Sequence, residues 1–381
     1  MRKRTFSRLF MLSITLILTI GLVLTGCGGG SSGAPKDTPA SGSENGTSGD
    51  GTPQEEKLDK ELNIFNWTNY MSQEVIDKFQ EKYGVKINYS TYSSNEEMFA
   101  KLQAGGTSQY DLAVASDYMV EVMLKQETPL LEPIDMNNIP NFKNIDDVYK
   151  DLPFDPGNKY SVPYMCGTVV MAVNTEKVTK PIKSYRDLWD PVFKNGLVVL
   201  DDQRAIIGVG LKVLGYSFND TDEAHLEAAK EEVKKLLPNI KAFDSDSPKT
   251  LLVNGEAIGG LVWSAEAAMA KRENPKIQAV FPEEGMYLWQ DNFVIPKGSP
   301  HKRTAEAFIN FILEPEISAL LVNERPYTNP NKAAQQFIEK SILEDPVSYP
   351  PAEELKKGEY LKDLGEATKL YDRIWSEIKQ N

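Results

Sequence analysis

The sequence predicts an α/β fold in two lobes, and three observations carry that expectation. Short apolar runs alternate with helical periodicities along most of the chain. Four of those runs stop on an aromatic or an acid and turn at once into a helix. Roughly 325 residues follow the low-complexity amino-terminal region, more than one core usually holds.

The elements follow in order. Residues 61–67 read as a strand, and residues 72–83 as a helix with Val75, Ile76, Phe79 and Tyr83 on one face, capped by Ser72 and ended by Gly84. Val85, Ile87 and Tyr89 alternate as a second strand. Residues 95–104 form a helix closed by Gly105-Gly106, and residues 111–115 make a third strand. Crossover connections make these strands parallel. A second series begins after Thr175: a buried strand at 197–200, a helix stopping near Gly215, an amphipathic helix at 224–237 and a strand at 258–263. Residues 168–174 and 286–296 look like strands crossing between the lobes. Helices return at 304–313 and 361–378.

The four strand-to-helix junctions read Asn66-Trp67-Thr68-Asn69-Tyr70, Ser116-Asp117-Tyr118, Asp201-Asp202 and Trp263-Ser264-Ala265-Glu266. Ligands of open α/β sheets bind outside the carboxyl ends of the strands, so these four can converge in space. Aromatic faces and carboxylates are what an organic cation needs. Each residue also has a structural reading: the tryptophans as interlobe core, Asp202 as a helix N-cap, Glu266 as an exposed acid in a first helical turn. Asp201 reads as structural, and Tyr92 and Tyr164 as packing residues.

At the amino terminus, Arg2, Lys3, Arg4 and Arg8 precede an apolar run at 9–24 that is short for a permanent membrane span. It ends in Leu24-Thr25-Gly26-Cys27, which resembles a bacterial lipobox and implies a signal peptide at 1–26 and a lipid on Cys27. Of the 27 residues at 28–54, 19 are Gly, Ser, Thr or Pro. Such a tether spans on the order of 30 Å and sets a lipid-anchored domain off a bilayer. Cys166 is then the one remaining cysteine, so no intramolecular disulfide forms, and its apolar surroundings predict a buried, inert thiol. Without residues 1–26 the chain has 38 Lys and Arg against 55 Asp and Glu, which argues against nucleic acid and for small cations as partners.

Eight collinear motifs between Leu58 and the carboxyl terminus carry a family resemblance: Asn66-Trp67-Thr68, Tyr89-Ser90-Thr91-Tyr92, Pro153-Phe154-Asp155-Pro156, Leu200-Asp201-Asp202, Leu214-Gly215-Tyr216, Pro282-Glu283-Glu284-Gly285, Trp289-Gln290-Asp291 and Ile309-Asn310-Phe311. This part of the chain resembles the spermidine/putrescine-binding proteins of ABC polyamine importers. The resemblance implies a two-lobed type II periplasmic-binding fold, each lobe a mixed sheet flanked by helices, with the lobes joined by crossing hinge strands. It places one lobe at 58–168 and 292–333 and the other at 169–291 and 334–381, after the signal peptide (1–26) and the Cys27 tether (27–57). It implies a polyamine in the interlobe cleft, delivery to the transmembrane subunits of an ABC permease, a monomer, and residence outside the cytoplasm, on a Gram-positive-type surface or in a periplasm. The binding set that matches is Trp67, Thr68, Tyr70, Ser116, Tyr118, Asp202, Trp263, Trp289, Asp291 and Tyr327.

The sequence departs from the spermidine-type pattern at Asn69 and Ala205, where that pattern has acids, and at Leu361, where it has glutamine. Glu266 stands where putrescine-type members place an acid. A shorter diamine between Asp202, Glu266 and Asp291 is the expectation that follows. The competing reading is a receptor for another solute, a sugar or other organic cation, on the same scaffold. No enzyme is expected, and no metal or cofactor: the two histidines, His225 and His301, lie in polar contexts, and no nucleophile motif or phosphate loop is present.

Overall fold

The computed structural model describes residues 58–380; the expected signal peptide, Cys27 and the whole tether lie outside the described residues. The first half alternates as expected: β1 (Glu61–Trp67), α1 (Gln73–Tyr83), β2 (Lys86–Tyr92), α2 (Asn95–Gln103), β3 (Leu112–Ser116) and α3 (Asp117–Leu124). Both β2 and β3 pair parallel to β1, as helical crossovers require. Helix α1 buries Val75, Ile76 and Phe79, and Gly84 closes it at φ 66°, a left-handed conformation that costs glycine little. Ser72 holds the N-cap position, but its side chain makes no capping hydrogen bond.

After the short β4 (Leu131–Glu132) comes β5 (Ser161–Asn174), followed by β6 (Leu197–Val199), α4 (Gln203–Val213), α5 (Glu223–Leu236), β7 (Ile240–Phe243), α6 (Pro248–Val253), β8 (Gly259–Trp263), α7 (Ser264–Glu273) and β9 (Ile277–Val280). Then come β10 (Tyr287–Pro296), α8 (Lys302–Ile312), α9 (Pro315–Glu324), α10 (Lys340–Leu343), α11 (Ala352–Leu355), β11 (Glu359–Tyr360) and α12 (Thr368–Lys379). The main strand order is β2-β1-β3-β10-β5-β8-β6-β7. The sheet is mixed: β10 runs antiparallel to both β3 and β5, and β8 antiparallel to β5, whereas β6 is parallel to β7 and β8.

Strands β5 and β10 occupy the middle of that order, and every residue in both is buried. A strand covered on both faces reads as a continuous apolar run, which is why both were legible as crossing segments. The sequence had β5 start at Thr168. It begins seven residues earlier, because Ser161, Val162 and Met165 also pair with β10. The register slips there: Asp291 faces Met165 and Asn292 faces Pro163, leaving Tyr164 as an extra residue. Proline has no N–H to give a ladder, and a bulge beside it is the usual accommodation. Cys166 exchanges backbone hydrogen bonds of 3.0 Å with Thr328, so a third segment joins the crossing pair.

The last helix starts at Thr368 rather than Leu361. Leu361 is buried, the Lys362 amide donates to Asn219 Oδ1 (2.8 Å), and the Lys362 carbonyl accepts from Arg204 (3.2 Å). Gly365 then turns at φ 54°. These tertiary hydrogen bonds take backbone groups that a helix would need, so the apolar periodicity overstates its length.

Candidate functional site

The junctions do converge. One cavity of about 620 Å³, counting the part open to solvent, is lined by Trp67, Thr68, Tyr70, Ser116, Asp202, Trp263, Glu266, Trp289, Asp291 and Tyr327. Tyr118 is not on the wall: it is buried beneath it, and its hydroxyl donates to Glu96 (3.1 Å). The wall also includes Asn69, Ser93, Asn95, Ser245, Asp246, Tyr287 and Arg325, which were not read as binding residues.

Local sequence explains how each group is presented. At the end of β1 the Trp67 amide donates to Asn66 Oδ1 (2.7 Å), and the Thr68 amide to the Tyr92 carbonyl (3.0 Å). Asn69 then takes φ 55°, a left-handed turn that asparagine tolerates better than most residues. At the end of β6 Asp202 is the N-cap of α4, accepting from the Ala205 amide (2.8 Å). Capping and cleft lining thus coexist in one side chain. Glu266 sits in the first turn of α7 but is buried, which removes the reading of it as an exposed acid; its Oε2 accepts from the Lys249 amide (3.2 Å).

The aromatic residues form a continuous wall. Trp263 and Trp289 meet edge to face at 6.0 Å, Trp289 and Tyr327 at 5.1 Å, and Tyr327 and Tyr70 at 5.5 Å. The Trp263 indole is pinned by a hydrogen bond to the Ser245 carbonyl (3.1 Å). Tyr164 holds the segment behind Tyr70 by donating to the Tyr70 carbonyl (2.8 Å), a packing role as expected. The mouth is bridged between the two halves at Asp246. Ser93 Oγ donates to its carboxylate (3.0 Å) and Asn69 Nδ2 to its carbonyl (3.4 Å). Asp244, its neighbour, serves as a loop cap by accepting from the Asp246 and Ser247 amides.

Electrostatically the wall is acidic. Asp291 lies at the middle of β10, where Ser116 Oγ donates to it (2.6 Å) and Asn95 Nδ2 donates in turn to Ser116 (3.0 Å). Burial pushes the Asp291 carboxyl up to about 7, against the pull of the Ser116 hydrogen bond and the nearby Tyr70 hydroxyl. Burial likewise raises Asp202, Glu266 and Asp246. Glu96, under Tyr118, is pushed up to about 7 by burial and then by the Asp202 charge. Four carboxylates around a cavity with one basic lining residue among the described residues favour a cation there, and the rings beside them favour an organic one. Among the described residues no group of three or more His, Cys, Asp or Glu side chains is placed to hold a metal ion.

Comparison with known proteins adds relatives to this geometry. The profile of bacterial extracellular solute-binding proteins matches residues 74–350. A spermidine/putrescine-binding periplasmic protein of Salmonella typhimurium is 38% identical over 319 residues, covering 84% of this chain and 91% of its own. A putrescine-binding periplasmic protein of Pseudomonas aeruginosa is 32% identical over 343 residues, covering 84% and 92%. A solved structure from Listeria monocytogenes, described as a spermidine/putrescine ABC transporter, superposes with a TM-score of 0.81 at 38% identity, covering 84% of this chain and 99% of that one.

Proposed function

This chain belongs to the bacterial extracellular solute-binding protein family, and from that membership and the cleft we propose that it captures a polyamine for an ABC importer. The observation that carries the reading is a ring-lined cavity holding Asp202, Asp246, Glu266 and Asp291, with Arg325 as its single basic lining residue among the described residues. Methylenes of a polyamine bury apolar area against Trp67, Trp263 and Trp289, and an ammonium over an indole face gains about 0.5 to 2 kcal/mol. Asp291 and Asp202 take the ammonium ends, with Thr68, Tyr70, Ser116 and Tyr327 around them and Tyr118 supporting from below.

The two halves of the sheet act as lobes, 58–168 with 292–333 and 169–291 with 334–381, hinged on β5 and β10. Ligand contacts to both lobes favour the closed form, and the closed form docks on the permease. The protein performs no chemistry on its ligand. It works as a monomer on the outer face of the cell membrane, held by lipid on Cys27, and the acidic cleft gives it no affinity for nucleic acid. No helix among the described residues is long and apolar enough to cross a membrane.

Calorimetry of the full chain with putrescine, cadaverine and spermidine tests this reading, and silence across that panel would remove it. The pH dependence is a sharper check. In the unliganded cleft Asp291 is protonated below about 7, whereas an adjacent ammonium requires it ionised. Affinity is therefore full above pH 7 and falls as pH drops through 7, by up to about tenfold per pH unit for each carboxyl that must lose its proton. Proton release on binding, read from calorimetry in buffers of different ionisation enthalpy, should be measurable at pH 6 and vanish by pH 8.5.

A further inference from the structure

The acids of the cleft share their space with one guanidinium. Arg325 follows α9, whose packing against α1 and α8 puts it with the β1–β3 half, and it lines the same cavity as Glu266 of α7, which belongs to the other half. Its side chain is 22% exposed, and its closest ion-pair partner among the described residues is the exposed Glu324, at 3.7 Å. The Arg325 Nε is buried with no hydrogen-bond partner. The guanidinium is therefore held in the cleft without being consumed by a structural hydrogen-bond network. Tyr327, two residues on, is part of the aromatic wall, and the Tyr327 amide donates to the Arg325 carbonyl (2.7 Å), which fixes where the arginine enters.

We propose that Arg325 is a resident cation at the Glu266 end of the cleft, and that it sets the length and charge of the ligand the cleft accepts. This rests on the cleft holding a polyamine, and it names which kind. An ammonium brought to Glu266 must approach a fixed positive charge of the same sign, which opposes it. Asp291 and Asp246 have no such resident among the lining residues, and the cation beside Asp202, Arg204, lies off the wall and donates to the Lys362 carbonyl and Asn219. A diamine satisfied by those acids loses nothing to Arg325. A triamine, whose third charge is driven towards the Glu266 end, does.

Glu266 and Arg325 come from opposite halves, so the arginine also supplies across the cleft part of the attraction that a ligand ammonium would. Glu266 thus feels the field of the protein's own cation as well as that of any ligand ammonium. Its carboxyl is raised by burial and drawn back down by the Lys249 amide and the Arg325 charge.

The test compares putrescine and spermidine on the full chain by calorimetry, for the wild type, Arg325→Met, Arg325→Lys, and Arg325→Met combined with Glu266→Gln. The wild type should prefer putrescine. Arg325→Met should raise spermidine affinity relative to putrescine by about tenfold, Arg325→Lys should keep the wild-type ratio, and Glu266→Gln should cancel the gain of Arg325→Met. An unchanged ratio in Arg325→Met, with diamine binding intact, overturns the inference alone. A wild type that binds neither amine removes the polyamine reading and this inference with it. If Arg325→Met fails to fold, an Arg325→Lys ratio shifted towards spermidine overturns the role of fixed charge, and a preserved one supports it.

Discussion

Asp291→Asn should weaken polyamine binding at pH 8 by at least about 100-fold and, at the same pH, make the unliganded protein more stable. The two effects share a cause. Asp291 is 5% exposed at the centre of β10, held by Ser116 at 2.6 Å, and burial pushes its carboxyl up to about 7 from an ordinary 3.8. A carboxyl whose folded pKa is raised stabilises the fold most below its unfolded value. That contribution is lost as pH rises from about 4 through 7. At about 1.4 kcal/mol per unit, ionising Asp291 in the empty cleft costs up to about 4 kcal/mol above pH 7. Asparagine keeps an oxygen for the Ser116 hydroxyl and carries no charge, so the cost disappears. What it cannot do is pair with an ammonium, and removing one partner of a buried charge pair typically costs about 2 to 5 kcal/mol of binding. Melting curves at pH 5 and pH 8 should show the variant gaining clearly more over wild type at the higher pH. A variant that melts lower at pH 8, or one that binds putrescine normally, would show that Asp291 is not the charged centre of the site.

Gly167→Val should damage the site from behind. Gly167 lies directly opposite Trp289 in the β5–β10 pairing, and a Cβ built on it would fall within 3.0 Å of three atoms of the indole. Trp289 touches both Trp263 and Tyr327, so moving its ring disturbs the whole aromatic wall. Overpacking of this kind costs about 1 to 3 kcal/mol of stability. Polyamine affinity should fall about tenfold or more, with a shift in tryptophan emission, while Gly167→Ala does less of both. Unaltered emission together with unaltered affinity would mean that the ring has free space to move into.

The parts of this architecture that were legible in the sequence share a physical basis. At β1, β6 and β8 an apolar run is followed at once by a capping or aromatic residue, and that local pattern both forms the strand end and aims the next side chain into the cleft. Trp67, Asp202, Trp263 and Glu266 could be picked for that reason. Trp289 and Asp291 came from family resemblance, because a buried central strand has no alternation to say which face meets a ligand, and Tyr327 came from it too, lying in the segment after α9. Ser93, Ser245 and Asp246 reach the wall on polar loops whose sequences read as caps and turns, so only tertiary placement reveals them. Arg325 was hidden by its position. A basic residue at the end of a helix is expected for its effect on the helix dipole, and nothing local says that it turns into a cavity. Tyr118 was picked from the same kind of junction, and its buried ring lies off the cavity lining with its hydroxyl on Glu96.

The extra residue at Tyr164 has a consequence for how such a site can change over time. In a paired strand the side chains alternate, so losing or gaining one residue swaps every later side chain to the other face. With Tyr164 present, Gly167 falls opposite Trp289 and Met165 opposite Asp291. Tyr164 is the exception: being the extra residue, it could be lost with Pro163 still opposite Asn292 and Met165 still opposite Asp291, a regular ladder that keeps Gly167 against the indole. What such a deletion removes is the hydroxyl that donates to the Tyr70 carbonyl, so its effect would reach the cleft through Tyr70 and not through the register.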